Sequence, residues 1–155
     1  MRRRKAEVRV IPPDPQYNNV ELARFINRIM MKGKKTIAQR IVYSAMEIVE
    51  KQSSRPPLEI FQEAIRNATP LLQVKARRVG GATYQIPIEV APRRGSAMAM
   101  RWLITSSRAR KGRPMHEKLA QEFLDASRGD GAAVKRREDL HRMADANKAF
   151  AHYRW

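Results

Sequence analysis

Leu22, Phe25, Ile26, Ile29 and Met30 recur at intervals of three and four, which puts them on one side of a helix. The same spacing returns in five further windows, separated by Gly- or Pro-containing breaks. This repeated period constrains the chain more than any other feature. Short amphipathic helices bury their stripes only against one another, so the expectation is a mainly α fold, a six-helix bundle. The first helix is expected to start at Asn18, with Glu21 completing a capping box, and to end on Gly33 as C-cap. Thr36 is expected to cap the second, whose stripe reads Ile37, Ile41, Val42, Ala45, Ile48 and Val49. The third begins near Pro57, buries Ile60, Phe61, Ala64 and Ile65, and stops before Pro70. Ser96 is the expected cap of the fourth, buried through Ala97, Met100, Leu103 and Ile104 with Trp102 at the margin. Pro114 sits in the first turn of the fifth, which carries Met115, Leu119, Phe123 and Leu124. After an RGDG turn, a sixth runs from about Ala133 with Leu140, Met143 and Ala144 inward.

One segment departs from this period. "VKARRVGGATYQIPIEVAPRR" (Val74–Arg94) reads as two strands around Gly80-Gly81, within a ribbon over residues 72–91. A lone hairpin is marginal in water, and no third strand is evident. Tyr84, Ile86, Ile88 and Val90 share a face by the period of two. A two-residue turn would pair Arg77 with Tyr84 and set cations on that face. A three-residue loop, Gly80-Gly81-Ala82, pairs Val79 with Thr83 and brings Leu72, Val74, Ala76 and Arg78 to the apolar side. The three-residue loop is the expectation. Pro87 marks a strand side that needs no ladder partner.

Charge narrows the function. Lys plus Arg total 32 against 15 acids, a net charge of +17. Such an excess opposes compaction and fits a protein that lives beside a polyanion. The charge is also segregated. Leu22–Met46 holds six cations and no acid, and Ala91–His116 holds seven (Arg93, Arg94, Arg101, Arg108, Arg110, Lys111, Arg113) and no acid. That is the footprint of a phosphate-binding surface. Residues 1–17 read as an irregular arm, with a cation run at Arg2, Arg3, Arg4 and Lys5 followed by the helix-resistant "IPPDP".

Other function classes find little support. The chain has no Cys, which suits a reducing cytoplasm. No apolar run approaches a membrane span, and the basic start lacks the apolar stretch of a secretory signal. His116, His141 and His152 share no metal-like spacing, and no cofactor is implied. "KGKKT" (Lys32–Thr36) faintly echoes a phosphate-binding loop, but that motif needs Gly where Arg28 stands. The acids of Glu117–Asp125 and Glu138–Asp145 are expected on solvated helix faces with local ion pairs. No catalytic constellation emerges, so the chain is expected not to be an enzyme. Among nucleic-acid binders, one reading of these features is a DNA-bending architectural protein with a β-ribbon arm.

"NNVELARFINRIMMKGKKTIAQRIVYSA" (Asn18–Ala45), "RRVGGATYQIPIEVAPRR" (Arg77–Arg94), "RWLI" (Arg101–Ile104) and "KRREDLHRMADANKAFAHYRW" (Lys135–Trp155) closely resemble bacterial small-subunit ribosomal protein seven, in order along essentially the whole chain. Lys32 departs from it, where an acidic residue is common. The resemblance implies one domain over residues 1–155: the arm, a six-helix bundle, a protruding two-stranded β-ribbon, and a C-terminal helix and tail over 133–155. It implies a primary binder of the 3′ major domain of 16S ribosomal RNA in the cytoplasmic ribosome. There it would nucleate assembly of the subunit head, as a monomer near small-subunit proteins nine and eleven. The matching basic positions facing ribosomal RNA are Arg2, Arg3, Arg4, Lys5, Lys34, Lys35, Lys75, Arg77, Arg78, Arg93, Arg94, Arg101, Arg108, Arg110, Lys111 and Arg113. Gly80, Gly81, Arg142 and Met143 match positions facing the exit-site transfer RNA and messenger RNA path.

Overall fold

A computed structural model describes residues 4, 6, 7 and 9–153, apart from the side chains of Val79 and Tyr153. Its elements are α1 (Val20–Ile29), α2 (Lys35–Ser53), α3 (Pro57–Ala68), β1 (Leu72–Val79), β2 (Ala82–Glu89), α4 (Pro92–Ala109), α5 (Met115–Ser127), α6 (Ala132–Ala146) and a C-terminal 3-10 turn (Lys148–Tyr153). The expected mainly helical architecture of six helices and a two-stranded antiparallel ribbon is therefore observed among the described residues.

The core is built where the apolar stripes predict. Phe25 of α1, Phe61 of α3 and Phe123 of α5 meet with ring centroids 5.4–5.5 Å apart, two of the three contacts edge to face. All three are fully buried. α5 lies at the centre and packs against α2, α3, α4 and α6.

Several boundaries differ from the sequence reading. Asn19, not Asn18, caps α1: its Oδ1 accepts the Leu22 N–H at 2.9 Å, while Asn18 takes a left-handed φ of 47°. Glu21 therefore forms no box; its carboxylate accepts the Ser96 hydroxyl instead. α1 ends at Ile29 rather than running to Gly33, because Lys32 and Gly33 both take positive φ and turn the chain. α2 then starts at Lys35 without a side-chain cap, so Thr36 lies inside it. Its buried residues are Ala38, Val42, Ala45, Met46 and Val49, and Ile37 is 48% exposed. Val42, Ala45 and Val49 are buried as expected and Ile41 and Ile48 pack half-buried against the core, while Ala38 and Met46 take the place expected of Ile37. α4 begins at Pro92, with proline in its first turn, and Ser96 falls inside the helix. Met143 points outward and is 49% exposed, whereas Ala144 is buried.

The ribbon register is the main correction. Val79 pairs with Ala82, Arg77 with Tyr84 and Lys75 with Ile86 around a two-residue turn. Gly80 and Gly81 have φ of 58° and 91°, the positive pair that a type I′ turn demands. Pro87 explains why this register wins. Antiparallel pairs alternate between hydrogen-bonded and open. The Val90 N–H donates to Leu71 O, which fixes the odd positions of β1 as the hydrogen-bonded ones. Pro87 then faces Val74 in an open pair and needs no N–H. The three-residue loop would set Pro87 against Lys75 in a hydrogen-bonded pair. Lys75 and Arg77 consequently share a face with Tyr84 and Ile86.

Candidate nucleic-acid interface

The two acid-free windows of the sequence meet across α1 and α4. Arg24 and Arg28 lie one turn apart on α1, and Arg93, Arg101 and Arg108 lie along α4. All five are exposed. Arg24, Arg28 and Arg93 line a groove of about 610 Å³ together with Glu21, Asn27 and Ser96, where Glu21 accepts the Ser96 hydroxyl. Arg28 also joins Arg101, Thr105 and Arg108 around an adjoining depression of about 150 Å³. The Arg28 pKa is lowered from its ordinary value, first by partial burial and then by the like charge of Arg101. Among the described residues no carboxylate lies within ion-pair distance of Arg24, Arg28, Arg93, Arg101 or Arg108. Such a surface is unfavourable alone and is relieved by an external anion.

The helix starts point the same way. α4 carries Arg93 and Arg94 in its first turn and α2 begins at Lys34 and Lys35, with no acid in either first turn. Cations there oppose the macrodipole, whereas a bound phosphate is favoured by both.

The remaining sequence-predicted positions are spread over the bundle, the ribbon, α6 and the arm. Arg94, Lys34, Lys35, Lys111 and Arg113 are exposed on the bundle. Lys111 and Arg113 line a depression with Lys118 in the α4–α5 connection. Lys34 and Arg108 border an apolar groove that includes Met30, Met31, Ile37 and Met115. Arg108 also donates to Ile29 O at 3.2 Å, tying α4 to the end of α1. On the ribbon, Lys75 and Arg78 are exposed on opposite faces and Arg77 is half-buried. The strands pack on α6 and the C-terminal turn, and the ribbon meets α4 only at its base beside Gly95, so its cations form a second patch. Gly80, Gly81, Arg142 and Met143 are exposed at the tip and on α6. Arg4 is exposed, while Arg2, Arg3 and Lys5 lie outside the described residues.

Arg110 stands apart. Its guanidinium donates twice to Glu122 Oε2, at 3.1 and 2.7 Å, and once to Asp125 at 2.6 Å. Burial alone would lower its pKa, but these carboxylates outweigh that and hold it above its ordinary value. Glu122 is 0% exposed, and its other oxygen accepts the Ala133 N–H at the start of α6. The acids of α5 are thus not all on a solvated face, as the sequence reading has it. Glu122 joins α4, α5 and α6 internally, and Arg110 is committed to that join.

Sequence reasoning left Arg24 and Arg28 out of the site. Their signal is present as a cation at every fourth position of the acid-free window Leu22–Met46: Arg24, Arg28 and Lys32. The histidines have local roles: His141 Nε2 accepts the Leu71 N–H at 3.0 Å, and His152 contacts Ala149 O. Among the described residues no group of His, Cys, Asp or Glu could hold a metal, and no helix is long and apolar enough to cross a membrane.

A helical body with an uncompensated arginine face and a separate basic ribbon defines a nucleic-acid-binding protein. A family model described as Ribosomal protein S7p/S5e matches residues 1–148. The chain is 56% identical to small ribosomal subunit protein uS7 of Thermotoga petrophila over 155 residues, covering 100% of both chains. It is 58% identical to the protein of that name from Thermomicrobium roseum over 154 residues, 99% of both. The relative from Dictyoglomus thermophilum is 56% identical over 154 residues, again 99% of both. The chain belongs to the ribosomal protein S7p/S5e family, and its work is structural and RNA-binding rather than catalytic.

Proposed function

We propose that this chain, a structural constituent of the small ribosomal subunit on the cytoplasmic ribosome, binds the 3′ major domain of 16S ribosomal RNA directly and nucleates assembly of the subunit head. The observation that carries the reading is the convergence of two acid-free windows on the α1/α4 face, with Arg28 crowded against Arg101. Phosphates from separate RNA segments would enter the grooves of this face and neutralise cations that otherwise repel. Release of condensed counterions would drive the association and make it steeply salt-dependent. Arginine suits the task through bidentate contacts and stacking on bases. Specificity would come from RNA shape and splayed bases, because the A-form major groove is too narrow for helices to read.

Lys34, Lys35, Arg93, Arg94, Arg101, Arg108, Lys111 and Arg113 would face this RNA with Arg24 and Arg28 added, and Arg2–Lys5 would extend the contact along the arm. Lys75, Arg77 and Arg78 would do so from the ribbon. Gly80 and Gly81 at its tip, with Arg142 and Met143 on α6, would face the exit-site transfer RNA and messenger RNA, and proteins nine and eleven would be neighbours. Chemical footprinting of 16S RNA tests this. Protection confined to the 3′ major domain, lost in Lys34→Ala/Lys35→Ala and persisting against excess duplex DNA, is expected. Protection elsewhere, or competition by duplex DNA, would refute it.

A further inference from the structure

The ribbon buries its apolar side chains apart from the main core. Ile86 is 1% exposed and Ala144 is fully buried, yet neither belongs to the buried cluster that joins α1–α5 with the start of α6. Tyr84 packs its ring 4.9 Å from that of Phe150 in the C-terminal turn. At the ribbon's base the Leu71 N–H donates to His141 of α6. Among the described residues β1 and β2 pack chiefly on each other, α6 and the turn, and the ribbon meets α4 at its base, where Val90 lies beside Gly95. α6 is divided correspondingly: Ala133 and Val134 join the main core at its first turn, and Ala144 lies apart from that core near its end.

We propose that the ribbon and the C-terminal segment from His141 onward form a second cooperative unit, which opens while the bundle stays folded, with Phe150 as the positioning residue that sets the ribbon's pose. A two-stranded hairpin needs a packing partner to persist in water. Here that partner is one half-helix and one short turn, held to the bundle through the first turns of α6. Segments with few buried apolar contacts open at lower free energy than the core they are attached to. The C-terminal turn is therefore a strap: its aromatic ring closes on Tyr84 of β2 while β1 rests on α6, and release of the turn together with the end of α6 loosens the ladder without disturbing the three-phenylalanine core. The inference concerns the free protein and does not depend on which RNA is bound.

Amide hydrogen exchange on the full-length chain tests it. In Phe150→Ala the ladder amides of Lys75, Arg77, Tyr84 and Ile86 are expected to exchange at least about tenfold faster, with α2, α3 and α5 amides within about twofold of their original rates. Phe150→Tyr, which keeps a ring for Tyr84, should restore protection. Ile86→Ala probes the same unit from the ribbon side and should give the same pattern. Unchanged ribbon exchange in either alanine variant would overturn the proposal. So would equal acceleration throughout the chain, including outright unfolding, because Ile86 and Phe150 would then belong to one core.

Discussion

Replacing Arg28 and Arg101 together by alanine separates RNA binding from folding. The two side chains are exposed on α1 and α4, line one depression and make no ion pair among the described residues. Their mutual effect is repulsive, since Arg101 lowers the Arg28 pKa. Removing them breaks no internal contact of that kind, so stability should move by no more than about 0.5 kcal/mol, as for ordinary surface changes. RNA binding should move much further. If each arginine meets one phosphate, the slope of log K against log salt flattens by about 0.7–0.9 per residue, or about 1.4–1.8 for the pair. At 0.1 M salt, one decade below the molar reference, this is a loss of about 25–60-fold in affinity. The assay is filter binding to a 16S 3′ major-domain fragment across a potassium chloride series, with urea unfolding measured in parallel. Parallel salt lines for the wild-type and variant proteins, or affinity lost only because the variant unfolds, would refute the reasoning.

Arg110→Ala should behave in the opposite way. It strands the buried Glu122 carboxylate, but the Arg110 side chain is 34% exposed, so screening places the loss toward about 2–3 kcal/mol. The urea midpoint should fall while the RNA salt slope holds; a stability within about 0.5 kcal/mol of the original would remove Glu122 as the joint of α4, α5 and α6. Tyr43→Phe tests the root of the N-terminal arm, where the Tyr43 hydroxyl donates to Asp14 at 2.7 Å. Burial, that hydrogen bond and the Asp14 charge push the Tyr43 pKa up to about 12. An unfolded tyrosine releases its proton near pH 10. From about pH 10 to about 12 the folded state therefore holds a proton that the unfolded state has lost, and stability falls as pH rises through that window. The variant should lose about 1 kcal/mol at neutral pH and show a flatter alkaline limb in urea titrations. An alkaline limb unchanged from the original would count against the Asp14–Tyr43 contact.

The helices were legible because their signals are local. α3 begins at Pro57 and buries Ile60, Phe61, Ala64 and Ile65 as its spacing dictates. The α1–α2 connection was harder to read. Lys32 takes a left-handed φ that nothing in its side chain announces, so the helix stops before the glycine that marks the turn. In the ribbon the clue lies in Pro87 rather than in the sorting of faces. Pro87 requires an open pair, and that parity selects the two-residue turn over the loop that segregates cations from apolar residues. The face carrying Lys75 and Arg77 is tolerated because Lys75 stays exposed while Tyr84 and Ile86 take the buried part.

By itself the sequence determined that this chain is helical, strongly basic and equipped with one ribbon, and that its cations occur in windows free of acids. Periodicity, turn chemistry and charge runs are properties of neighbours along the chain, and they survive without knowledge of any long-range contact. Only the tertiary structure decided which arginines act together and which are neutralised. Arg28 meets Arg101 because α1 and α4 pack side by side, and Arg110 meets Glu122 because the α4–α5 connection folds back on α5. Equal charges on one helical stretch thus acquire different surroundings, open solvent beside Arg28 for Arg101 and an internal carboxylate for Arg110. Helix packing, which brings distant residues within a few ångströms of one another, makes that distinction.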